Sequence, residues 1–552
     1  MVKILILGGY GVFGGRLARL LSDMPQATLL LAGRSEAKAR QFCSVFTGVA
    51  RVEPVGLDRR DIADALARLQ PDLVVDASGP FQDYGADQYR VVESCLAQKV
   101  HYLDFADGAD FVFGISRFDE AARQAGICIL SGVSSFPVLT AAVLRELSRT
   151  MEIVEVEGGI APSPYAGIGL NVMRAVVGYA GAPVKLTRAG RVGHGIGLAE
   201  SRRYTIAVPG RMPLRNIRFS LVDVPDLQVL PPEHPAMTDI WMGAGPVPEA
   251  LHRMLNLLAK ARHLLHLPSP EPFSRLFYAV LNLMKFGEHR GGMYVHAKGT
   301  RDGEPVERSW HLLAEADDGP LIPSMAIEGI IRKALAGNWP EPGARPATHA
   351  LELDDYGRLF AGRTIHSGFR DHVPHGPIYR CILGSAFDGL PEKVRELHDD
   401  VAERSWAGTA SVKRGSGLLA GVIAMVFGFP KSGDPVPVSV TFSPEGGGER
   451  WTRTFGDHSF SSHQSCGVGR SSHLLVERFG IVEFGLALVV EDERLHLVPR
   501  RGSILGIPLP KFLLPRGRSF ECQRDGMFCF DVEIVLRVVG LVVHYQGRLS
   551  RV

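Results

Sequence analysis

Cysteine is scarce in this 552-residue sequence, and the few cysteines form no pattern. Their number is odd, and no Cys-x-x-Cys pair occurs. Neither a disulfide framework nor a zinc knuckle is indicated, so reduced thiols are expected. The seven positions are Cys43, Cys95, Cys128, Cys381, Cys466, Cys522 and Cys529.

Long apolar runs are also missing. The longest uncharged apolar stretch near the C-terminus, residues 418–429, is shorter than the ~18–20 residues that a membrane-spanning helix needs. At the N-terminus, Met-Val-Lys passes directly into an apolar run, which leaves no room for the regions of a signal peptide. The sequence therefore predicts no transmembrane segment and a cytoplasmic location.

Neither sign of charge is in excess. Lysine and arginine number 61 against 59 aspartates and glutamates, and 45% of the residues are hydrophobic. No basic block is present, so a nucleic-acid partner is not expected. At ~100–200 residues per domain, the length predicts two to four domains.

Residues 1–148 alternate short runs rich in Val, Ile and Leu with segments of helical periodicity. Continuous apolar strands joined by helices are typical of a parallel sheet that is covered on both faces. We therefore predict an α/β Rossmann domain with a parallel sheet over residues 1–148. The predicted strands cover residues 4–7, 28–32, 51–55, 72–76, 101–105 and 127–130.

The pattern changes twice after residue 148. Residues 149–350 are punctuated by Gly and Pro, and Arg301-Asp302-Gly303 is typical of a hairpin turn, which predicts an α+β domain with an antiparallel sheet for substrate binding and dimerisation. Residues 351–375 are predicted to be a linker. Residues 376–552 read as strand after strand, which predicts a mainly β domain: an antiparallel sheet or partial barrel with a helix or two near residues 391–403.

A glycine cluster follows the first predicted strand and opens a helix. It fits G-x-G-x-x-G through Gly9, Gly11 and Gly14, and equally G-x-x-G-x-x-G through Gly8, Gly11 and Gly14. In both registers the absent Cβ atoms let the backbone approach a pyrophosphate at the helix N-terminus. The predicted cofactor-binding residues of this turn are Gly8, Gly9, Tyr10, Gly11, Val12, Phe13 and Gly14.

The second predicted strand ends in LAGRS, about twenty residues beyond the cluster. An NAD enzyme places an acid there on the ribose 2′-hydroxyl, and that acid would repel a 2′-phosphate. Arg34 and Ser35 instead supply a planar cation and a hydroxyl. The sequence therefore predicts NADP(H) as the cofactor.

The loops after the later strands are further cofactor candidates, because open parallel sheets bind ligands at the carboxyl ends of their strands. The predicted contacts are Ser78, Gly79, Pro80, Phe81, Asp104 and Ser134. The alternatives are a tight packing turn for the segment DASGPF and helix caps for Asp104 and Asp107.

Five segments in this order and spacing resemble the saccharopine dehydrogenase-like oxidoreductases, which include the trans-acting enoyl reductases of lipid synthesis: GGYGVFG, LAGRS, VVDASGPF, HYLDFADG and SGVSSFP. The likeness spans the first domain and continues through EVEGGIAPSPYAG and GEHRGGMYV. The C-terminal part is similar to a domain of unknown function that is fused behind such reductases. The resemblance implies nicotinamide-dependent redox chemistry, with the substrate between the first two domains, and implies no particular substrate.

Three residues are candidate proton donors or acceptors for hydride transfer. Tyr84 directly follows DASGPFQD, and Tyr165 lies beside glycine in the second domain. His289, in the triplet Glu288-His289-Arg290, is the conventional acid or base at neutral pH. The alternatives are a packing role for Tyr84 and a helix-ending role for the triplet.

No metal site is predicted. The segment DHSFSSHQSC carries Asp457, His458, His463 and Cys466, but their spacing matches no standard zinc arrangement.

The leading hypothesis is an NADP(H)-dependent oxidoreductase that acts on a carbonyl, imine or enoyl group of a small or lipid-like metabolite. One alternative is a catalytically silent NADP-binding sensor or scaffold. Another is a lipid-binding or transfer protein with a deep apolar cavity between Trp406 and Gly547. A homodimer is expected, and the apolar stretch from Leu276 to Met284 either packs on its own domain or contacts a membrane surface or lipid substrate.

Overall fold

The computed structural model describes residues 1–81, 84–167, 169–246, 248–283, 285–372 and 376–552. The chain forms two compact units. The first unit consists of Met1–Arg203 and Ile217–His366, and the second of Tyr204–Asn216 and Ser367–Val552.

The strands up to residue 371 are β1 (Val2–Leu7), β2 (Ala27–Gly33), β3 (Arg51–Gly56), β4 (Leu73–Asp76), β5 (His101–Asp104), β6 (Cys128–Ser131), β7 (Glu152–Ala161), β8 (Pro183–Arg188), β9 (Arg191–Ile196), β10 (Ser201–Tyr204), β11 (Ile217–Leu221), β12 (Asp239–Ala244), β13 (Arg290–Arg301), β14 (Glu304–Glu315), β15 (Gly343–Pro346) and β16 (Ile365–Asp371). The helices are α1 (Val12–Leu20), α2 (Glu36–Ser44), α3 (Ile62–Leu69), α4 (Arg90–Gln98), α5 (Ala109–Gly114), α6 (Asp119–Ala125), α7 (Thr140–Ser148), α8 (Leu170–Gly178), α9 (Asp226–Val229), α10 (Glu249–Leu265), α11 (Ser274–Leu283), α12 (Ile322–Leu335) and α13 (Leu353–Phe360).

After residue 371 the helices are α14 (Ile378–Leu383), α15 (Glu392–His398) and α16 (Leu418–Val426). The strands are β17 (Arg404–Arg414), β18 (Gly433–Glu445), β19 (Gly448–Phe455), β20 (His458–Cys466), β21 (Leu475–Phe479), β22 (Val482–Glu491), β23 (Arg494–Ile504), β24 (Ile507–Pro508), β25 (Ser519–Arg524), β26 (Met527–Leu536) and β27 (Gly540–Arg551).

The predicted Rossmann domain is confirmed. Its parallel sheet has the order β15-β6-β5-β4-β1-β2-β3. The apolar side chains of β1, β2 and β4 are buried on both faces of this sheet, as expected when helices cover both sides. The strand order reverses between β1 and β4, so a crevice opens at the carboxyl ends of those strands.

The first sheet also contains a strand from far along the sequence. Residues 343–346, predicted to belong to the second domain, form β15 and pair in parallel with β6. The preceding helix α12 packs on the same domain, where the Arg332 side chain donates to the Leu20 carbonyl at 3.0 Å. The Rossmann domain therefore takes in residues beyond the predicted boundary at 148, because the open edge of β6 accepts the returning chain.

The second sheet differs from the prediction in one respect. Its order is β10-β11-β12-β7-β13-β14-β16, and the hairpin of β13 and β14 turns at Asp302 and Gly303 as predicted. The sheet is mixed rather than purely antiparallel, because β12 runs parallel to β7. Parallel neighbours need a long crossover, and α8 together with the hairpin of β8 and β9 supplies it.

The strands after residue 403 form a closed antiparallel barrel rather than a partial one. Ten strands join in the order β22-β21-β20-β19-β18-β17-β27-β26-β25-β23, and β22 pairs with β23 to close the ring. The short β24 adds to β23. Inward side chains such as Phe442, Leu475 and Val543 build the core of this unit.

The segment predicted as a linker, residues 351–375, contains helix α13 and strand β16. The second unit begins at Ser367 and also takes in Tyr204–Asn216, which the prediction assigned to the second domain. Residues 373–375 of the predicted linker lie outside the described residues. Helix α13 forms within the predicted linker because a capping box stabilises its first turn. In this capping box the side chains of Glu352 and Asp355 accept hydrogen bonds from backbone N–H groups.

Within the described part of the chain, no helix combines the length and apolar character that crossing a membrane requires. Helix α11 leaves Leu276 and Leu283 exposed, and Met284 lies outside the described residues. Membrane contact at this helix and homodimer formation remain predictions.

Candidate functional site

The glycine turn joins β1 to α1 at the crevice of the first sheet. Gly8 has a φ of +72°, and a Cβ there would lie 2.6 Å from the Ala77 carbonyl oxygen. A Cβ on Gly14 would lie 2.4 Å from the Gly8 carbonyl oxygen. Only glycine fits at these two positions, so the backbone itself forms the surface of the predicted cradle.

The N-terminus of α1 points its free backbone N–H groups at this cradle. Gly11 is the N-cap residue, and the first turn of the helix carries no acidic side chain. The positive end of the helix dipole is therefore not neutralised within the helix and favours an anionic group. The turn and the helix together fit the pyrophosphate of a dinucleotide.

The end of β2 carries the two residues predicted to recognise a 2′-phosphate. Arg34 is exposed and borders a surface hollow of about 380 Å³ with Gly56 and Asp58. Ser35 caps α2 by accepting from the Lys38 N–H, and its own N–H donates to the Tyr10 hydroxyl at 3.0 Å. The Tyr10 hydroxyl thus holds the β2 loop against the glycine turn.

The carboxylate of Asp58, which borders the same hollow, is engaged elsewhere. It pairs with Arg60 at 3.1 Å. Hydrogen bonds from Arg60 lower the pKa of Asp58, and the charge of Arg34 contributes in the same direction. The guanidinium of Arg34 is an exposed cation at the end of β2, beside a hollow that Asp61 and Asp64 also line.

The end of β4 forms a buried polar cluster. Asp76 accepts from the Ser78 backbone N–H at 2.9 Å and from the Ser78 hydroxyl at 2.5 Å. Tyr84 lies 2.7 Å from the Ser78 hydroxyl and 3.4 Å from an Asp76 oxygen. The Arg59 guanidinium stacks 3.8 Å above the Tyr84 ring.

Burial raises the pKa of two acids in this cluster, Asp76 and Tyr84. Burial raises the pKa of Asp76, while hydrogen bonds from Ser78 and the charge of Arg59 oppose that rise. Burial, followed by the charge of Asp76, raises the pKa of Tyr84 well above its ordinary value. Tyr84 therefore stays a phenol, and loss of its proton during a reaction would be costly.

Asp104, predicted to bind the cofactor, is fully buried instead. Its Oδ1 accepts from the Gly132 N–H at 2.8 Å and from the Ala106 N–H at 2.9 Å. Burial raises the pKa of Asp104 to about 7 against these hydrogen bonds. Its side chain holds the loops after β5 and β6 together, and its contact with a cofactor stays a prediction.

The remaining predicted loop contacts differ in burial, and their contact with a cofactor stays a prediction. Ser78, Gly79 and Ser134 are half-buried in the loops after β4 and β6. The Phe81 ring is buried 5.1 Å from the Phe111 ring, which leaves it a packing role.

Residues of the second domain lie against the same loops within the first unit. The Asn171 side chain, at the start of α8, donates to the Gly79 carbonyl at 2.7 Å. Arg16 of α1 donates to the Ala166 carbonyl at 2.6 Å. These bonds bring the segment before α8 to the mouth of the predicted cofactor crevice.

The structure brings Tyr165 and His289 together. Their rings are 4.7 Å apart in an edge-to-face arrangement, and His289 lies 3.5 Å from an Asp317 oxygen. Both side chains are exposed. Arg290, the last residue of the triplet, opens strand β13, and helix α11 ends at Leu283, so the helix-ending alternative for His289 is not supported. Tyr84 instead belongs to the separate cluster around Asp76.

Sequence reasoning missed one titratable group in this region. Asp223 follows β11, and burial together with the charges of Asp110 and Asp107 raises its pKa to about 6. Tyr179, at the end of α8, has a raised pKa through burial and through the charges of Asp223 and Asp107. Asp107 comes from the loop after β5, so this group joins the cofactor domain to the second domain. Only the fold reveals it, because these residues are about 115 positions apart in the chain.

Among the described residues, no three His, Cys, Asp or Glu side chains form a group that could hold a metal ion.

Two family models match parts of the chain. Residues 4–130 match the saccharopine dehydrogenase NADP binding domain. Residues 390–549 match a domain of unknown function, DUF4166. These matches confirm the resemblance at both ends of the chain and support a nucleotide cofactor. The comparison with curated proteins gives no match.

Several solved structures are similar over the greater part of their length. An amine dehydrogenase from Mycobacterium smegmatis is 12% identical with a TM-score of 0.33, covering 62% of this chain and 94% of its own. A dehydrogenase (MviM) from Clostridium difficile is 8% identical with a TM-score of 0.29, covering 65% and 97%. The WlbA dehydrogenase from Thermus thermophilus, solved with NAD and alpha-ketoglutarate, is 13% identical with a TM-score of 0.27, covering 66% and 93%. Likenesses at these TM-scores carry no conclusion about this chain.

Proposed function

We propose that the protein is an NADP(H)-dependent oxidoreductase that transfers hydride to or from a carbonyl, imine or enoyl group of a small or lipid-like metabolite. The observation that carries the proposal is the glycine turn, where a Cβ on Gly8 or Gly14 would strike backbone, in front of a helix without an acid in its first turn. The match of residues 4–130 to an NADP-binding family supports it.

The residues of the turn and the β2 loop would hold the cofactor. The turn from Gly8 to Gly14 offers backbone N–H groups to a pyrophosphate, and Arg34 offers its exposed guanidinium to a 2′-phosphate. A bound nicotinamide supplies or accepts the hydride. The chain itself must orient the substrate and exchange one proton.

We take Asp223 as one candidate for that proton exchange. A carboxyl with a pKa of about 6 is populated in both protonation states near neutral pH, which is what general acid–base catalysis requires. Its neighbour Asp107 belongs to a carboxyl-end loop of the cofactor domain. Tyr84 is assigned a positioning role through Ser78, while His289 and Tyr165 remain candidates on the second domain.

The first test compares NADPH and NADH binding by fluorescence titration of the full chain. Loss of a guanidinium–phosphate interaction worth ~1.5–3 kcal/mol predicts that Arg34→Ala weakens NADPH binding about 10- to 100-fold and leaves NADH binding within about twofold. Arg40→Ala is the matched control, because Arg40 lies six residues further on and pairs with Glu36.

Equal affinity of the natural sequence for NADPH and NADH would contradict the role of Arg34. Binding of neither nucleotide would contradict the proposed function itself.

A further inference from the structure

The closed barrel of β17 to β27 encloses a cavity that nucleotide chemistry does not use. Its volume is about 320 Å³. The wall is mostly aromatic and aliphatic, with Val440, Phe442, Phe455, Leu486, Phe528 and Leu549 among the lining residues. A cavity with such a wall does not retain water well, because water needs two to four polar partners.

The size of the cavity limits its occupant. A cavity of ~150 Å³ lined by aliphatic and aromatic side chains holds a benzene ring, so about twice that volume accommodates about twelve carbon atoms. Ligand pockets begin at ~300 Å³. The barrel therefore has room for one medium-length chain or a small ring system.

The charged groups beside Gln464 and His398 are paired, and Arg516 and Glu533 also line the cavity. Arg453 donates to Glu477 at 3.0 Å, and Glu477 also accepts from Gln464 at 3.2 Å. His398 and Glu521 are 2.6 Å apart. At Gln464 a ligand carboxylate would meet Glu477 and an arginine that Glu477 neutralises, whereas a hydroxyl or carbonyl could join the hydrogen bonds of this cluster.

The two ends of the barrel differ in polarity. At one end, four of the connections between strands expose apolar side chains, which we call the apolar collar. These connections join β17 to β18, β21 to β22, β23 to β25, and β26 to β27. The residues of the collar are Leu418, Leu419, Val422, Met425, Val426, Ile481, Leu505, Ile507 and Val538. At the other end, the turns carry Gly446-Gly447, Asp492-Glu493 and Asp525-Gly526.

The collar is continuous with the cavity. Ile423 of α16, the helix that carries much of the collar, lines the cavity, and so do Ile504 and Leu509 beside the exposed turn that contains Leu505. An apolar ligand could thus pass from a lipid phase into the barrel at this end while remaining in contact with apolar side chains.

We propose that the barrel binds one uncharged apolar chain with a small hydrogen-bonding end group, which enters at the apolar collar and places that end group at Gln464 and Glu477. The volume of the cavity limits the length of the ligand chain. The paired charges at Gln464 and Glu477 disfavour an ionised end group there, and the apolar collar is the route by which the ligand enters. This site is separate from the nucleotide-binding turn and does not depend on the proposed function.

The test uses decan-1-ol and decanoate as matched ligands of the full chain at pH 8. Displacement of the neutral fluorescent probe N-phenyl-1-naphthylamine measures their affinities, and native mass spectrometry measures stoichiometry. We expect one decan-1-ol per chain, bound at least tenfold more tightly than decanoate.

Val440→Phe places a larger side chain in the cavity and is expected to weaken decan-1-ol binding at least tenfold. Ser439→Phe is the matched control, because Ser439 is the neighbouring residue on the opposite face of β18. The affinity of this variant for decan-1-ol should stay within twofold of that of the natural sequence. If circular dichroism shows that Val440→Phe does not fold, Val532→Phe, at a half-buried lining position, replaces it.

Decanoate binding as tightly as decan-1-ol would overturn the uncharged end group. Equal weakening by both β18 substitutions, or no binding of the alcohol to the natural sequence, would overturn the barrel site.

Discussion

Asp223 and Tyr84 show how burial acts differently on a carboxyl and on a phenol of the first unit. Burial and two neighbouring carboxylates raise the pKa of Asp223 to about 6, so its proton is exchangeable near neutral pH. Burial and the charge of Asp76 raise the pKa of Tyr84 further above the ordinary value of a phenol, so Tyr84 keeps its proton at neutral pH. The phenol that the sequence suggests as a proton donor is therefore the weaker acid of the two.

If Asp223 is the proton donor, reduction is fastest where its carboxyl is protonated. We expect the rate of substrate reduction to fall as pH rises through about 6, and the reverse oxidation to rise over the same interval. Asp223→Asn should remove this pH dependence and lower kcat about 100-fold or more, in line with the ~10²–10⁴-fold contribution of general acid–base catalysis, with NADPH affinity unchanged.

A second variant tests the electrostatic cause. The negative charge of Asp107 contributes to the raised pKa of Asp223, so Asp107→Asn should move the midpoint of the pH–rate profile to lower pH. Steady-state rates between pH 5 and 8 measure both effects. If the midpoint of the pH–rate profile is unchanged in Asp223→Asn, another group donates the proton. His289 would then be the next candidate.

At the scale of the element, the turn between β1 and α1 depends on close backbone contact. The Cβ that Gly14→Ala introduces would lie 2.4 Å from a backbone oxygen, which cannot move aside as the end of a flexible side chain could. We expect this substitution to weaken NADPH binding at least tenfold and to lower the thermal midpoint.

The control for this element is Gly357→Ala in α13, where a Cβ meets nothing within 4 Å. Alanine is favoured over glycine in a helix by ~0.5–1 kcal/mol, so this variant should keep its NADPH affinity and have an equal or slightly higher midpoint. Fluorescence titration and thermal unfolding compare the two. Unchanged NADPH binding in Gly14→Ala would show that the turn is not the cradle.

At the scale of the whole molecule, the two compact units predict two separable responses to ligand. A ligand at 100 times its dissociation constant stabilises the unit that binds it by about 2.7 kcal/mol. NADPH should raise the unfolding temperature of the first unit, which begins at Met1. Decan-1-ol should raise the unfolding temperature of the second unit, which ends at Val552. Differential scanning calorimetry with each ligand measures this, and a single transition raised equally by both would contradict it.

Several features of the fold follow from residues that are neighbours along the chain. The alternation of apolar runs and helical periods predicted the Rossmann domain, and the glycine spacing predicted the turn between β1 and α1. Asp302 and Gly303 likewise predicted the hairpin of β13 and β14. Each of these signals is local, because it follows from the backbone freedom of glycine or from the burial pattern of one strand or helix.

Other features depend on residues that are distant in the sequence and meet in the fold. The pairing of β15 with β6, the parallel pair of β12 and β7, and the closure of the barrel by β22 and β23 join segments that carry no matching local signal. The same holds for the burial of Asp104 and the raised pKa of Asp223, since desolvation and neighbouring charge arise from whichever residues the fold brings close. Long-range packing, which no local pattern specifies, therefore determines which carboxyl groups have a raised pKa and whether the last sheet encloses a cavity.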